Sequence, residues 1–388
     1  ASPAISYDGI YIPEFGNGTD LSLVVRLDIA GPVPLIAATS GVLSSWCSVY
    51  MSPESLYLTS DNHWWWIEPM VGVDMPPANA EPRTAVHKFS VAGPEGNPLY
   101  KGSAEVDGWV NDRFSMSDYQ GQLRIGTTRG GWWGEGISNQ LAVLSEGDGK
   151  LVEVGKLTGL AQGERIYSMR FDRDRGYMVT FRRTDPLFTL DLRDPANPQV
   201  AGELVVSGFS TYIHLLGTDR LLTIGRSADD FGRVTGNKLQ LFDVSNLAAP
   251  ALLDAYELGT GWSDALYDPH AFLYYEPLGI LTIPYYSYGA TFDSYSTGLN
   301  VFNIDPAGSI TLRGIVSAAT VTSIYGGYSY NYVDTVDRSV IISSGTGSSI
   351  YALAHRSVTV AGADQLNIIK TVVLPESYSY YGPVGIGF

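Results

Sequence analysis

Short apolar runs broken by polar turns recur along the whole chain. One set includes Leu123-Arg124-Ile125, Tyr177-Met178-Val179, Leu221-Leu222-Thr223-Ile224, Leu278-Gly279-Ile280-Leu281 and Val340-Ile341-Ile342. A second set follows it: Leu21-Ser22-Leu23-Val24-Val25, Ala85-Val86-His87-Lys88-Phe89, Leu141-Ala142-Val143-Leu144, Leu187-Phe188-Thr189-Leu190, Leu239-Gln240-Leu241-Phe242, Leu299-Asn300-Val301-Phe302 and Ile350-Tyr351-Ala352-Leu353. Runs of this length, alternating or continuously apolar and bounded by Gly, Pro, Asn and Asp, are strand signals. Further runs, such as Leu151-Val152-Glu153-Val154 and Thr371-Val372-Val373-Leu374, close each unit.

An aromatic–serine pair leads each unit. It occurs as Phe114-Ser115, Tyr167-Ser168, Phe209-Ser210, Trp262-Ser263, Tyr328-Ser329 and Tyr378-Ser379, with Trp46-Cys47-Ser48 as a looser copy. Successive serines are 67, 53, 42, 53, 66 and 50 residues apart. The mean unit of about 55 residues fits propeller blades that carry extra loop length. Four short strands per unit then predict an all-β chain, a β-propeller of seven four-stranded blades over residues 1–388. An open pair of β-sandwiches or a β-helix is the alternative. The N-terminus opens at a second strand, Gly9-Ile10-Tyr11-Ile12, and Tyr378 to Phe388 supply an orphan first strand. One closing blade is therefore expected from about 1–45 plus 376–388, which removes exposed sheet edges.

This connectivity also distributes the loops. The long insertions, roughly 60–83, 128–138, 226–237 and 284–297, all fall between second and third strands. Such loops share a face with the links that lead into first strands. The expectation is one aromatic-rich loop face, carrying Trp64, Trp65, Trp66, Trp132, Trp133, Tyr285, Tyr286 and Tyr288. Aromatic rings of this kind stack on sugars or anchor protein partners; the alternative is a lid that buries its own rings. The charges Arg170, Asp172, Arg173, Asp174 and Arg175 read as solvated turn residues.

The net charge of −16 argues against non-specific nucleic-acid binding and against attachment to an anionic membrane surface. No apolar window is long enough for a membrane helix. The single cysteine, Cys47, excludes an internal disulfide framework and reads as a small filler of an inner strand. The opening Ala1-Ser2-Pro3 is expected of a processed product of a secreted precursor, and Asn17-Gly18-Thr19 matches the N-glycosylation acceptor pattern.

Candidate chemistry is sparse. His87 and His355 fall in or next to third strands and read as structural, while His63 opens an insertion. His214, Asp264, Asp268 and His270 could supply a metal site from different blades, although no local ligand spacing marks one. The acidic loop Ser227-Ala228-Asp229-Asp230-Phe231-Gly232 could hold a structural Ca²⁺, but lacks the alternating carboxylate spacing. No nucleophile elbow, P-loop or HExxH occurs.

Three stretches together resemble a family of secreted bacterial and archaeal proteins with a C-terminal β-propeller domain. They are Asn111 to Tyr119 with Leu123 to Thr128, Gly163 to Phe171 with Val179 to Arg182 and Asp185 to Phe188, and Gly208 to His214 with Leu241 to Ser245. The resemblance is specific over residues 84–285 and implies an extracytoplasmic propeller, without implying an activity. The expected function is recognition or scaffolding, with a glycan or protein held on the aromatic loop face. The alternative is a metal-dependent hydrolase or glycan-cleaving enzyme working in the axial funnel, since propellers host both.

Overall fold

The computed structural model describes residues 5, 7–14, 20–45, 47–61, 81–92, 97–130, 136–181, 185–229, 231–288, 295–325, 328–345 and 347–374. Their regular structure is strand, apart from single-turn 3₁₀ segments. The chain forms two compact units. One comprises Ala1–Asp219, Ala228–Arg233 and Val244–Ala251; the other comprises Arg220–Ser227, Val234–Asp243 and Leu252–Phe388.

In the first unit, β1 (Ile10–Tyr11), β2 (Asp20–Asp28) and β3 (Leu35–Ser44) form a sheet in the order β1-β3-β2. Consecutive four-stranded sheets follow. They are β4 (Ser48–Met51), β5 (Ser55–Asp61), β6 (Arg83–Ser90) and β7 (Leu99–Asp107); then β8 (Met116–Tyr119), β9 (Gln122–Arg129), β10 (Ser138–Gly147) and β11 (Lys150–Leu160); then β12 (Arg165–Asp172), β13 (Arg175–Phe181), β14 (Asp185–Asp191) and β15 (Gln199–Val206). Strand β16 (Phe209–Leu216) comes next. In the second unit, β17 (Arg220–Ala228), β18 (Val234–Asp243) and β19 (Ala251–Gly259) lie side by side. Then come the sheet β20 (Leu273–Tyr275), β21 (Ile280–Tyr288), β22 (Tyr295–Asp305) and β23 (Ser309–Ser317), and the hairpin β24 (Thr320–Tyr325) and β25 (Tyr328–Val333). The last sheet holds β26 (Val336–Ser344), β27 (Gly347–Ala354), β28 (Ser357–Gly362) and β29 (Ile368–Val373).

The middle strands explain the apolar runs. β6, β9 and β13 are buried along nearly their whole length, so both faces must be apolar or hydrogen-bonded. The outer strand β15 alternates and stays partly wet. The serines of the leading pairs are buried as well: Ser115, Ser168, Ser210 and Ser263 are at most 2% exposed. Ser168 donates to the Ser210 carbonyl at 2.8 Å, and Ser263 donates to the Pro284 carbonyl at 2.5 Å. The Ser168 and Ser263 hydroxyls thus tie leading segments to neighbouring backbone, whereas the buried Ser115 hydroxyl has no partner among the described residues.

A second repeat lies in the outer strands. The pairing of third with fourth strand slips by one residue after Lys88, Val143, Thr189 and Val301. The residues opposite are Gly102, Gly155, Gly202 and Gly314. A Cβ on Gly102 would lie 2.5 Å from the Lys150 Cα, and one on Gly314 would lie 2.9 Å from the Leu366 Cδ1. On Gly155 it would collide with the Pro195 carbonyl, and on Gly202 with the Leu247 carbonyl. The bulges at Gly102, Gly155 and Gly202 thus receive backbone of a turn in the following repeat, where only glycine leaves room, while Gly314 faces the Leu366 side chain.

Two sequence expectations are corrected. Residues 1–45 do not form a meander: β1 pairs parallel with β3, which lies between β1 and β2. β3 takes the inner place because Val42 and Ser44 are fully buried, whereas both faces of β2 are largely exposed. Tyr328-Ser329 does not open the last four-stranded sheet. The Tyr- and Ser-rich segment pairs with itself from Thr320↔Val333 to Tyr325↔Tyr328, and the sheet begins at β26. The C-terminal strand expected from Tyr378 to Phe388 lies outside the described residues.

Gly155→Ala and Gly202→Ala are each expected to lower the unfolding free energy by about 1–3 kcal/mol, the usual range for overpacking. Denaturant titration reads this; unchanged midpoints would show that the bulges tolerate a side chain. His87 on β6 is fully buried, and neither ring nitrogen has a partner among the described residues. Burial lowers its pKa from 6.5 to about 4. The unfolded chain takes up a proton below pH 6.5 that the folded chain refuses until about 4. Stability is therefore full above the unfolded value and declines as pH falls between the two, by about 3 kcal/mol. His87→Leu should narrow the stability gap between pH ~7.5 and ~4.5 by about 2–3 kcal/mol; an unchanged gap would mean that His87 is not held neutral.

Candidate functional site

In the first unit, polar and aromatic side chains meet around the residues that lead into β8, β12 and β16. Asp112 caps the 3₁₀ turn Arg113–Ser115, its Oδ1 accepting from the amides of Phe114 at 2.7 Å and Ser115 at 3.2 Å. Asn111 donates to the Asp112 carboxylate and to the Tyr167 carbonyl, both at 3.2 Å. Burial pushes the Asp112 carboxyl up from its ordinary pKa. Asn139 on β10 donates to the carbonyls of Leu160 and Glu164, which fixes the approach to β12. Arg170 on β12 then lies over the Phe114 ring, its guanidinium carbon 4.3 Å from the centroid. Tyr212 on β16 meets the same ring edge-on at 5.6 Å, and His214 lies 6.4 Å from Tyr212. Burial, and secondarily the Arg170 charge, lower the His214 pKa to about 4.

In the second unit, Asn237 on β18 repeats the role of Asn139. It donates to the carbonyls of Gly259 and Gly261 and so fixes the approach to Trp262. The Trp262 backbone is bridged to Tyr286 in both directions, at 2.8 and 3.0 Å. The Trp262 indole donates to Asp264 at 3.1 Å and stacks on Tyr267, with centroids 5.3 Å apart and planes 25° from parallel. Arg226 sits 5.1 Å over the Trp262 ring, anchored by Asn237 at 2.7 Å. Tyr267 is 64% exposed.

Beside this stack, Asp268 Oδ1 accepts from the His270 amide and faces His270 Nδ1, both at 2.9 Å, while Oδ2 pairs with Arg338. Burial alone would raise the Asp268 carboxyl, but hydrogen bonds from His270 and the Arg338 charge hold it below its ordinary value. Asp337 behaves oppositely. Burial raises it, and the nearby Asp264 charge adds to that despite His355 at 3.1 Å.

The expected site residues scatter. Tyr285 is buried rather than offered to a ligand. Its hydroxyl donates to the Gly259 carbonyl at 2.8 Å and accepts from Asn237 at 3.1 Å, because β21 turns it into the sheet. Tyr286 is half-buried beside Trp262. Trp64, Trp65, Trp66, Trp132, Trp133, His63 and the Tyr288 side chain lie outside the described residues. Asp264, Asp268 and His270 share the second unit, whereas His214 belongs to the first. Among the described residues, no three His, Cys, Asp or Glu side chains are grouped so as to hold a metal. In the acidic loop, the Asp229 carboxylate accepts from the amides of Phe231 and Arg233 and pairs with the Arg233 side chain. Asp230 is outside the described residues. Cys47 is half-buried, packs against the Val42, Leu58 and Phe89 cluster, and is also hydrogen-bonded to Ser44 and to the Ser45 carbonyl.

Sequence reasoning missed Arg170, Tyr212, Asp112 and Tyr267. Arg170 is no turn charge: it pairs with Tyr177 inside the β12–β13 ladder. The signal was present in the two-residue alternation of β12, which places Arg170 on the same face as Ser168.

The chain is 39% identical over 214 residues to an uncharacterised protein of Methanocaldococcus jannaschii, covering 55% of this chain and 33% of that one. It is 43% identical over 201 residues to an uncharacterised protein of Archaeoglobus fulgidus, covering 52% and 30%. The chain thus spans about a third of the length of these relatives. Among solved structures it is similar to Sqt1 of Saccharomyces cerevisiae, with a TM-score of 0.46, 10% identity and coverage of 91% and 80%. It is also similar to the periplasmic gluconolactonase PpgL of Pseudomonas aeruginosa, with a TM-score of 0.44, 10% identity and coverage of 92% and 97%. The family described as beta propeller domain matches residues 1–366, and the chain belongs to that family.

Proposed function

We propose that the chain is an extracytoplasmic recognition module that binds a glycan, with the Trp262–Tyr267 stack as its platform. The observation that carries this reading is a largely exposed tyrosine ring held in place by a tryptophan and rimmed by Asp264, Asp268 and His270. A sugar presents an apolar C–H face to such a ring, and its hydroxyls find acceptors and donors at the rim. The Trp262 bridge to Tyr286 and the indole bond to Asp264 pre-order the platform, so little side-chain entropy is lost on binding.

One observation favours the enzyme alternative in a specific form. Asp337, its carboxyl raised by burial, feels the charge of Asp264, and a raised carboxyl beside a second acidic residue is a pairing that glycan cleavage uses.

Glycan-array binding of the whole chain, followed by calorimetry on the best ligand, tests the reading. Tyr267→Ala should weaken affinity at least about tenfold, and Trp262→Ala at least as much. Undiminished array signals for the Tyr267 variant would contradict the platform. If the array ligand is cleaved, Asp337→Asn should abolish turnover while binding persists.

A further inference from the structure

The three stretches that carry the family resemblance converge on one ring, and none of them belongs to the Trp262–Tyr267 platform. Phe114 is fixed by the Asp112 cap and by Tyr212 edge-on. Two guanidiniums lie over it, Arg170 at 4.3 Å and Arg113 at 5.2 Å. Arg170 also lies 5.8 Å from the Tyr212 centroid. Among the described residues neither guanidinium is ion-paired, whereas eight other arginines find carboxylates in a chain with a net charge of −16.

The Asp112 carboxylate feels the Arg170 charge but makes no ion pair with either guanidinium. Asp112 uses Oδ1 on two backbone amides and Oδ2 on Asn111, and its burial works against its charged form. At His214 the Arg170 charge adds to the larger effect of burial in lowering the imidazole pKa. A guanidinium held over an aromatic ring can keep N–H groups free to donate elsewhere. Such N–H groups match the two oxygens of a carboxylate.

We propose that Arg113 and Arg170, stacked over Phe114 and flanked by Tyr212 and His214, form a binding site for the carboxylate group of a small acidic ligand. The ring presets both guanidiniums, and the carboxylate supplies the missing counter-charge. Tyr212 gives an apolar wall against which the carbon skeleton of the ligand can rest. Arg170, half-buried on β12, contributes the less screened charge and the larger share of affinity. Arg113, exposed at the 3₁₀ turn, contributes less.

Calorimetry of the whole chain at low ionic strength, with glucuronate, acetate and glucose as probes, tests the site. Glucuronate should bind and glucose should not. Arg170→Gln should weaken binding at least about tenfold, Arg113→Gln a few-fold, and added salt should weaken the wild type. Acetate binding as tightly as glucuronate would identify simple carboxylic acids as the ligand source; binding of glucuronate alone would identify acidic sugars. Absence of carboxylate binding, equal affinity for glucose, or wild-type affinity in Arg113→Gln would overturn the proposal. Arg113 is exposed, so its variant keeps the test decisive if Arg170→Gln fails to fold. No step uses the Trp262–Tyr267 platform, so this site and the glycan platform stand or fall separately.

Discussion

Packing between successive repeats depends on an absence of side chain at Gly102, Gly155 and Gly202. Each sits opposite a bulge between third and fourth strand and accepts a turn from the next repeat against bare backbone. At Gly155 and Gly202 the constraint is spatial, since their backbone does not enter the left-handed region. Gly102 combines both demands, with φ at 135°. Hydrogen bonds reinforce the same joints: Thr189 on β14 donates to the Leu247 carbonyl, the group that fills the space beside Gly202. Close backbone approach and a satisfied acceptor are one feature seen from two sides.

From those joints the fold builds inward. Middle strands, buried on both faces, supply the apolar core, and Ser168 and Ser263 of the leading pairs anchor their segments. Third-strand residues then aim those segments: Thr84 bonds the Gly108 carbonyl, Asn139 those of Leu160 and Glu164, and Asn237 those of Gly259 and Gly261. The functional groups follow directly. Phe114, Arg170, Tyr212, Trp262 and Asp264 all stand in or beside segments set by these bonds. A rigid lead presents a ring or a guanidinium without a loop having to order itself first.

Much of this was legible in the sequence. The apolar runs marked middle strands such as β6, β9, β10, β13, β14, β21 and β22, because burial on both faces forces such runs, while β5 and β28 were not marked. The aromatic–serine pair marked the leads into β8, β12 and β16 and the Trp262 segment, where the serines are buried and Ser168 and Ser263 each reach a carbonyl. Two signals misled. The apolar run Leu21 to Val25 reads as an inner strand, yet the small residues of β3 occupy that place. Tyr328-Ser329 copies the pair but closes a hairpin, because strand-forming Tyr and Thr on both sides can pair locally. The site was less legible. Arg170 sits among mixed charges that resemble a turn, and its role depends on Phe114, 56 positions earlier in the chain. Tyr267 gains its platform only from Trp262 stacking beneath it, which no local spacing encodes.

The most direct test of the recognition account is the place where a sugar rests. A crystal structure of the chain with a bound oligosaccharide should show one pyranose lying parallel to the Tyr267 ring, with hydroxyls within hydrogen-bond reach of Asp264 or His270. A sugar bound away from Tyr267 and Trp262, with the stacked pair untouched, would contradict the account.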